Sequence, residues 1–352
     1  MEHALANVLG FGPSMVDVCV PLDPAQYQAS HELLGVDPGG WRLIEDSSTV
    51  DQLLQIVGAE GASLGLVGHA PGLSVAAGSS ILGMLGAMPP HIREKSVLAT
   101  TLATREGQVD AWSAYFVKSL GHTGITHHAT LVEGRNPLGF VLYPEGEGGG
   151  TEKTLAMHPG VAQAMSEYER LEEVDADLIL IDAYELKDGQ LSGLLDQIIT
   201  SGEYQVALSL GNHTLLESGL HARVRKYIDD GHILAVCGNE QEYQVTFPEL
   251  DPAQTSREEF PDHPVSQKVP YVLMTRAENG MDSFWEGKHV RTKAHPIVPE
   301  AIVNTSGAGD TVMGAFCGGV ISGDDPGDTM AKAAYLASEV LSIPSSMILA
   351  RR

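Results

Sequence analysis

Cysteine is nearly absent from this sequence: 352 residues contain three, Cys19, Cys237 and Cys317, widely spaced and without a C-x-x-C pair. Neither a disulfide framework nor a zinc site of the usual spacing is expected. Basic residues are scarce as well. Lys and Arg number 21 against 46 Asp and Glu, a formal net charge of −25. Such a surface repels nucleic-acid phosphate and anionic lipid, so neither nucleic acid nor a membrane is an expected partner. No stretch reaches the roughly 20 uninterrupted apolar residues of a membrane span. The first residues, Met1 to Asn7, lack the basic region and apolar run of a signal peptide, and a reducing cytoplasm is the simplest location. The 14 histidines form no H-E-x-x-H pair and no ligand cluster; His158 alone lies in a stretch of interest.

What is present is core and punctuation. Hydrophobic residues make up 43%, enough for a sizeable core, and the 39 glycines imply tight turns and close backbone approaches. Apolar runs at 8–20, 64–68, 178–181, 206–210, 233–237 and 271–275 predict strands. Helical spacing predicts helices at 81–85, 161–174, 191–199 and 215–228, with two closing helices at 307–320 and 329–341. The segment 22–46 is mixed and turn-rich, 145–150 reads as a loop tip, and 283–293 as a hairpin. Strands alternating with helices indicate βαβ crossovers and a parallel sheet covered on both faces. The expected architecture is α/β: one unit over 1–352, a three-layer doubly wound sheet with a small β-rich lid drawn mainly from about 18–46 and part of 108–158.

The chemistry gathers at Thr305-Ser306-Gly307-Ala308-Gly309-Asp310. Small residues that bend and at once begin a helix leave backbone N–H groups of the first turn without partners. With the helix dipole, Gly307, Ala308 and Gly309 would form an anion hole for a terminal phosphate, which Thr305 and Ser306 would flank. Asp310 would stand beside the transferring phosphoryl group, placed to accept a proton from an attacking hydroxyl. The plainer alternative is a glycine-rich helix start with an ordinary first-turn acid.

Asn304 to Asp310 resembles the C-terminal signature of the ribokinase-like, or PfkB, family of sugar and nucleoside kinases, and the order of motifs looks closest to its adenosine-kinase-like branch. The resemblance implies ATP and Mg²⁺ as cofactors and a sugar or nucleoside as substrate. It implies further roles, residue by residue. Asp17, after Gly12-Pro13-Ser14, would bind substrate hydroxyls, and its apolar neighbours make it an expensive carboxylate without such partners. Gly78 and Ser79 fall in the family's Gly-Gly-x-x-x-Asn element as substrate-binding positions. Asn239 and Glu242 match an Asn-x-x-Glu element that holds magnesium largely through water, for which one carboxylate suffices; a solvated helix start is the other reading. Lys153 stands where a phosphate-approaching Arg is usual and lacks its bidentate fork. Thr275 and Gly280 fit the spacing of the nucleotide-base region.

Two positions depart from the family pattern. Asn304 replaces an Asp that helps hold a monovalent cation, which leaves potassium activation open. Leu82 replaces a substrate-binding Asn, and a leucine cannot hydrogen-bond a hydroxyl. With Tyr27, Leu33 and Trp41 in the presumed lid, Leu82 favours a partly apolar acceptor. The expected activity is transfer of the γ-phosphate of Mg-ATP to a primary hydroxyl of a sugar or nucleoside, with Asp310 as base. The competing reading is a catalytically silent nucleotide- or sugar-binding protein on the same fold. A nicotinamide oxidoreductase is disfavoured, because Met15 stands where G-x-G-x-x-G needs its third glycine. Monomer and homodimer are both compatible with the sequence.

Overall fold

The structure, a computed structural model, describes residues 7–38, 40–59, 74–144, 154–165, 168, 174–187, 189–249, 264–298, 301–302 and 305–343. Fifteen strands among them form two sheets. The main sheet contains β1 (Val8–Phe11), β5 (Ser96–Arg105), β6 (Gln108–Val109), β7 (Thr126–Glu133), β10 (Leu178–Asp182), β11 (Val206–Ser209), β12 (Ile233–Asn239), β13 (Tyr271–Thr275), β14 (Met281–Trp285) and β15 (Lys288–Thr292). Its order is β15-β14-β13-β12-β11-β10-β1-β5, with β6 and β7 both on β5. The central pairs are parallel, as the βαβ alternation predicts, and the β13-β14-β15 edge is antiparallel.

Burial on both faces explains why the central strands read as continuous apolar runs. All five residues of β10 are buried. Leu178 and Leu180 join one core with Ile81, Met84, Val312 and Phe316; Ile179 and Ile181 join the opposite core with Leu191, Leu195, Val224 and Tyr227. The period of two thus splits one strand between two helical layers.

The lid is a five-stranded sheet of order β3-β9-β8-β2-β4, from β2 (Val16–Leu22), β3 (Trp41–Leu43), β4 (Ser74–Ala77), β8 (Leu138–Pro144) and β9 (Thr154–His158). Residues 138–144 and 154–158 therefore contribute to it, whereas 108–109 and 126–133 pair with the main sheet. In β2, Val16, Val18, Val20 and Leu22 pack with Leu34, Val50 and Leu53 of two lid helices, and the alternation sends Asp17 to the other face. The lid root is held by Asn136, which is fully buried. Its Oδ1 accepts from Ser14 and Ser113 at 2.8 Å each, and its Nδ2 donates to the carbonyls of Ser14 and Pro137.

Three local expectations change. The segment 22–46 contains a regular helix, Pro24–Leu34, started by an Asp23–Gln26 capping box and ended at Gly35; end signals outweighed its weak periodicity. Val161 and Ala162, expected in a helix, lie in successive tight turns after Pro159-Gly160, with Ala162 N–H donating to the Pro159 carbonyl. The helical stretch 213–229 is interrupted at Gly219, whose φ is +106°. The expected strand at 64–68 and the loop tip at 145–150 lie outside the described residues.

Candidate active site

A cavity of about 450 Å³ opens between the lid and the carboxyl ends of the main-sheet strands, where open parallel sheets place their ligands. The lid supplies Met15, Asp17, Trp41, Leu43, Phe140, Leu155 and Met157. The main body supplies Ser79 and Ser80 from one helix start, Tyr184 and Glu185 after β10, and Ser306, Gly307 and Asp310.

Asp17 is half-buried on β2, directly across from Gly139 on β8. A side chain at Gly139 or Gly78 would collide with its carboxylate, so the two glycines make the recess in which it sits. Gly78 itself donates its N–H to the Met15 carbonyl at 2.9 Å. Ser79 lines the cavity at φ +129°, an unusual conformation for a residue with a Cβ. Its hydroxyl caps the Ser80–Ala87 helix by accepting from the Leu82 N–H at 3.1 Å. Leu82 is wholly buried in the core, and the cavity-facing position of that turn belongs to Ser80.

The helix Ala308–Ile321 begins at Gly307, whose φ of +82° is in the left-handed region, and no side chain caps it. The first intrahelical bond runs from the Thr311 N–H to the Gly307 carbonyl. The preceding N–H groups, Ala308 to Asp310, have no acceptor within the helix by geometry. Thr305 and Gly309 are exposed, and Gly309 approaches the end of β12 through its carbonyl, 4.0 Å from the Cys237 Sγ.

Asp310 stands in a concentration of negative charge. Desolvation pushes its carboxyl up to about 8, reinforced by Asp182, Glu242 and Asp17, while a hydrogen bond with Ser80 works the other way. Asp182, fully buried at the end of β10, is pushed up to about 6 by burial against hydrogen bonds from the Tyr184 N–H, Ser209 and Ser80. Ser80 lies beside both carboxyls, and like charges this close disfavour double ionisation. Glu185, 4% exposed, is held well above the usual carboxylate range by burial and then by Asp182.

Asn239 and Glu242 form a capping box at the start of the Glu240–Thr246 helix. The Asn239 N–H donates to Glu242 Oε2 at 2.8 Å, and the Glu242 N–H to Asn239 Oδ1 at 3.0 Å. Burial, then Asp182, raise Glu242 to about 7. Among the described residues no trio of His, Cys, Asp or Glu converges closely enough to hold a metal ion directly. A hydrated magnesium ion, which needs only one or two carboxylates, does fit, because Asp182 Oδ2 is buried without a partner beside Glu242.

Thr275 and Gly280 lie away from this cavity, at the far side of β12. Thr275 pairs with Asn239 across β12–β13, and any side chain at Gly280 would strike the backbone of 292–294. Lys153 and Asn304 lie outside the described residues. His158 does not line the cavity: its Nδ1–H donates to the Ile44 carbonyl at 2.9 Å, and burial lowers its pKa, so it ties the lid together as a neutral ring. Trp41 lines the cavity, whereas Tyr27 and Leu33 pack against the core. Sequence reasoning missed Ser80, Asp182, Tyr184, Glu185 and Gln163. The available signal was the position of Asp182 and Glu185 immediately after a buried strand, where parallel sheets place functional groups.

Comparison with known proteins bears on the fold and the family. The pfkB family of carbohydrate kinases matches residues 108–349. A search of curated protein sequences finds no match. Among solved structures, a probable sugar kinase from Rhizobium etli CFN 42 superposes with a TM-score of 0.76 at 15% identity, covering 97% of this chain and 95% of that one. The adenosine kinase of Sinorhizobium meliloti gives 0.74 at 16%, covering 99% of both chains. That of Schistosoma mansoni, in complex with 2-fluoroadenosine, gives 0.74 at 16%, covering 98% of both. The fold is therefore ribokinase-like, and the chain belongs to the pfkB family of carbohydrate kinases, phosphotransferases that act on an alcohol group.

Proposed function

We propose that this protein transfers the γ-phosphoryl group of ATP to a hydroxyl of a small sugar- or nucleoside-like acceptor, with Asp310 as general base. The observation that carries this reading is that Asp310 opens an uncapped helix inside the same cavity as Asp17. Asp17 accepts hydrogen bonds from acceptor hydroxyls and orients the reacting one. Asp310 takes its proton as the oxygen bonds to the γ-phosphorus and the bond to the ADP oxygen breaks. Developing charge on the phosphoryl oxygens meets the N–H groups of Gly307, Ala308 and Gly309, with Thr305 and Ser306 beside them. Kinases of this family generally use Mg-ATP. Glu242, with Asn239 and the orphaned oxygen of Asp182, would hold magnesium through water, and neutralisation of phosphate charge is the chemistry the ion supplies there. Thr275, Gly280 and Lys153 belong to the nucleotide side of the reading.

The acceptor is partly apolar, because the lid presents Trp41, Phe140, Leu155 and Met157 to the cavity. The likeness to an adenosine kinase that holds 2-fluoroadenosine supports a nucleoside-sized acceptor. The decisive variant is Asp310→Asn. Phosphoryl transfer, followed as ADP release over a panel of nucleosides and sugars, should fall by about 10²–10⁴-fold, the usual contribution of a positioned base. ATP affinity, measured by calorimetry, should stay within about threefold of wild type, because a neutral side chain of the same shape leaves the anion hole in place. Undiminished transfer would overturn the assignment of Asp310.

A further inference from the structure

Glu185 has no task in the mechanism above, yet it is a buried carboxyl in the cavity wall. It follows β10 in a single turn of helix, Ala183–Leu186, whose start is capped by Asp182. Its side chain lines the cavity, and its Oε2 is buried without a hydrogen-bond partner. Gln163 repeats the pattern. Its Nε2 donates to the Tyr184 carbonyl at 3.4 Å, which sets the amide orientation, and its buried Oε1 is left without a donor. The Leu191 N–H donates to the Gln163 carbonyl, so the two residues belong to one stretch of wall. Two buried oxygens, one of them of a carboxyl group, are therefore left without partners in residues that line a single cavity.

Buried polar groups in a folded protein are satisfied, and a carboxylate is costly to bury unless a positive charge meets it. No side chain among the described residues meets Glu185. Lys187 lines the same cavity but is exposed and makes no bond to the Oε2. Asp17, Glu45, Glu185 and Asp310 outnumber it among the described lining residues. Trp41, Phe140 and Tyr184 add aromatic surfaces, which attract organic cations. A bare metal ion is a poorer fit, since no described trio of ligating side chains converges.

We propose that the acceptor of this kinase carries a cationic nitrogen, an ammonium or a protonated heterocycle, which Glu185 pairs and Gln163 hydrogen-bonds as a second acceptor. The inference rests on the kinase reading and narrows its substrate to alcohols that are also organic cations. Glu185 is then a specificity residue: it holds the charged end of the acceptor while the hydroxyl end is presented to Asp310.

Two matched probe pairs test it: 1-methyladenosine, positively charged at neutral pH, against adenosine, and glucosamine against glucose. Binding to the full chain is measured by calorimetry without ATP, and turnover of the same compounds as ADP release. The charged member of at least one pair should bind roughly tenfold or more tightly than its neutral partner, the scale of a hydrogen bond to a charged group. Glu185→Gln should reduce that ratio to within about twofold, as expected when a neutral acceptor replaces a charged one. It should melt no lower than wild type, since it removes a buried carboxyl without a partner. Gln163→Leu, a second variant of near-equal volume, should weaken the charged probe in the same assay.

Equal binding within both pairs, binding of neither charged member, or a ratio that survives Glu185→Gln would overturn the proposal. So would a Glu185→Gln enzyme that needs more magnesium but discriminates between acceptors as before, because Glu185 would then serve a metal. A charged probe that binds selectively through Glu185 but is never phosphorylated would count against the kinase reading alone.

Discussion

Asp310 carries the sharpest prediction at the scale of single residues. A general base acts only when ionised, and burial with neighbouring acids holds this carboxyl up at about 8. Because the folded value lies above the ordinary carboxylate range, the proton stays on through neutral pH and leaves as the pH rises. The acceptor kcat/KM, which reports the free enzyme, should therefore climb from pH 6 and level off above about 8. Asp182, Glu242 and Asp310 titrate together, so the apparent value belongs to the group. A flat kcat/KM from pH 6 to 9 would contradict a buried base. That Asp310 and Asp17 stand at one cavity was foreshadowed in the sequence, by a loop of small residues before an apolar helix and by a carboxylate between valines. Glu185 was not, because an Asp and a Glu after a strand look like any turn until their burial is known.

At the scale of elements, the Ala308–Ile321 and Ser80–Ala87 helices set the distance between Asp310 and Ser80, and they meet backbone to backbone. At Gly314 a Cβ would come within 2.6 Å of the Met84 Cα. No flexible tip can yield there, so Gly314→Ala must push the helices apart. The substitution should destabilise the protein by about 1–3 kcal/mol, the usual cost of overpacking, read from denaturant melts. It should also lower kcat/KM by roughly tenfold, since small displacements from a reactive geometry are expensive. Wild-type activity in a folded Gly314→Ala enzyme would show that this contact does not position the base. The βαβ succession was readable from periodicity, and the central strands stand where their apolar runs predicted. The helix expected across Val161 and Ala162 failed because spacing alone does not register a Pro-Gly entry that bends the chain into turns. The Pro24–Leu34 helix was overlooked for the opposite reason, since its caps are strong and its amphipathic stripe is weak.

Across the whole molecule, 46 acidic residues against 21 basic ones leave the compact state working against its own charge. Added salt screens that repulsion over about 10 Å at 0.1 M. The melting temperature should therefore rise by a few degrees between about 10 and 300 mM NaCl, beyond what the exposed ion pairs lose, because such pairs contribute only about 0–1 kcal/mol each. A melting temperature that falls across this range would mean that the ion pairs outweigh the net charge. No helix among the described residues is long and apolar enough to cross a membrane. The residue order determined by itself what depends on neighbours along the chain: strand and helix periods, the bend before Ala308 and the charge balance. Tertiary structure alone decided which acids meet, because the convergence of Asp17, Asp182, Glu185, Glu242 and Asp310 joins segments nearly 300 positions apart. Desolvation, which raises the pKa of Asp182, Glu185, Glu242 and Asp310, exists only after the sheets and helices have closed around them.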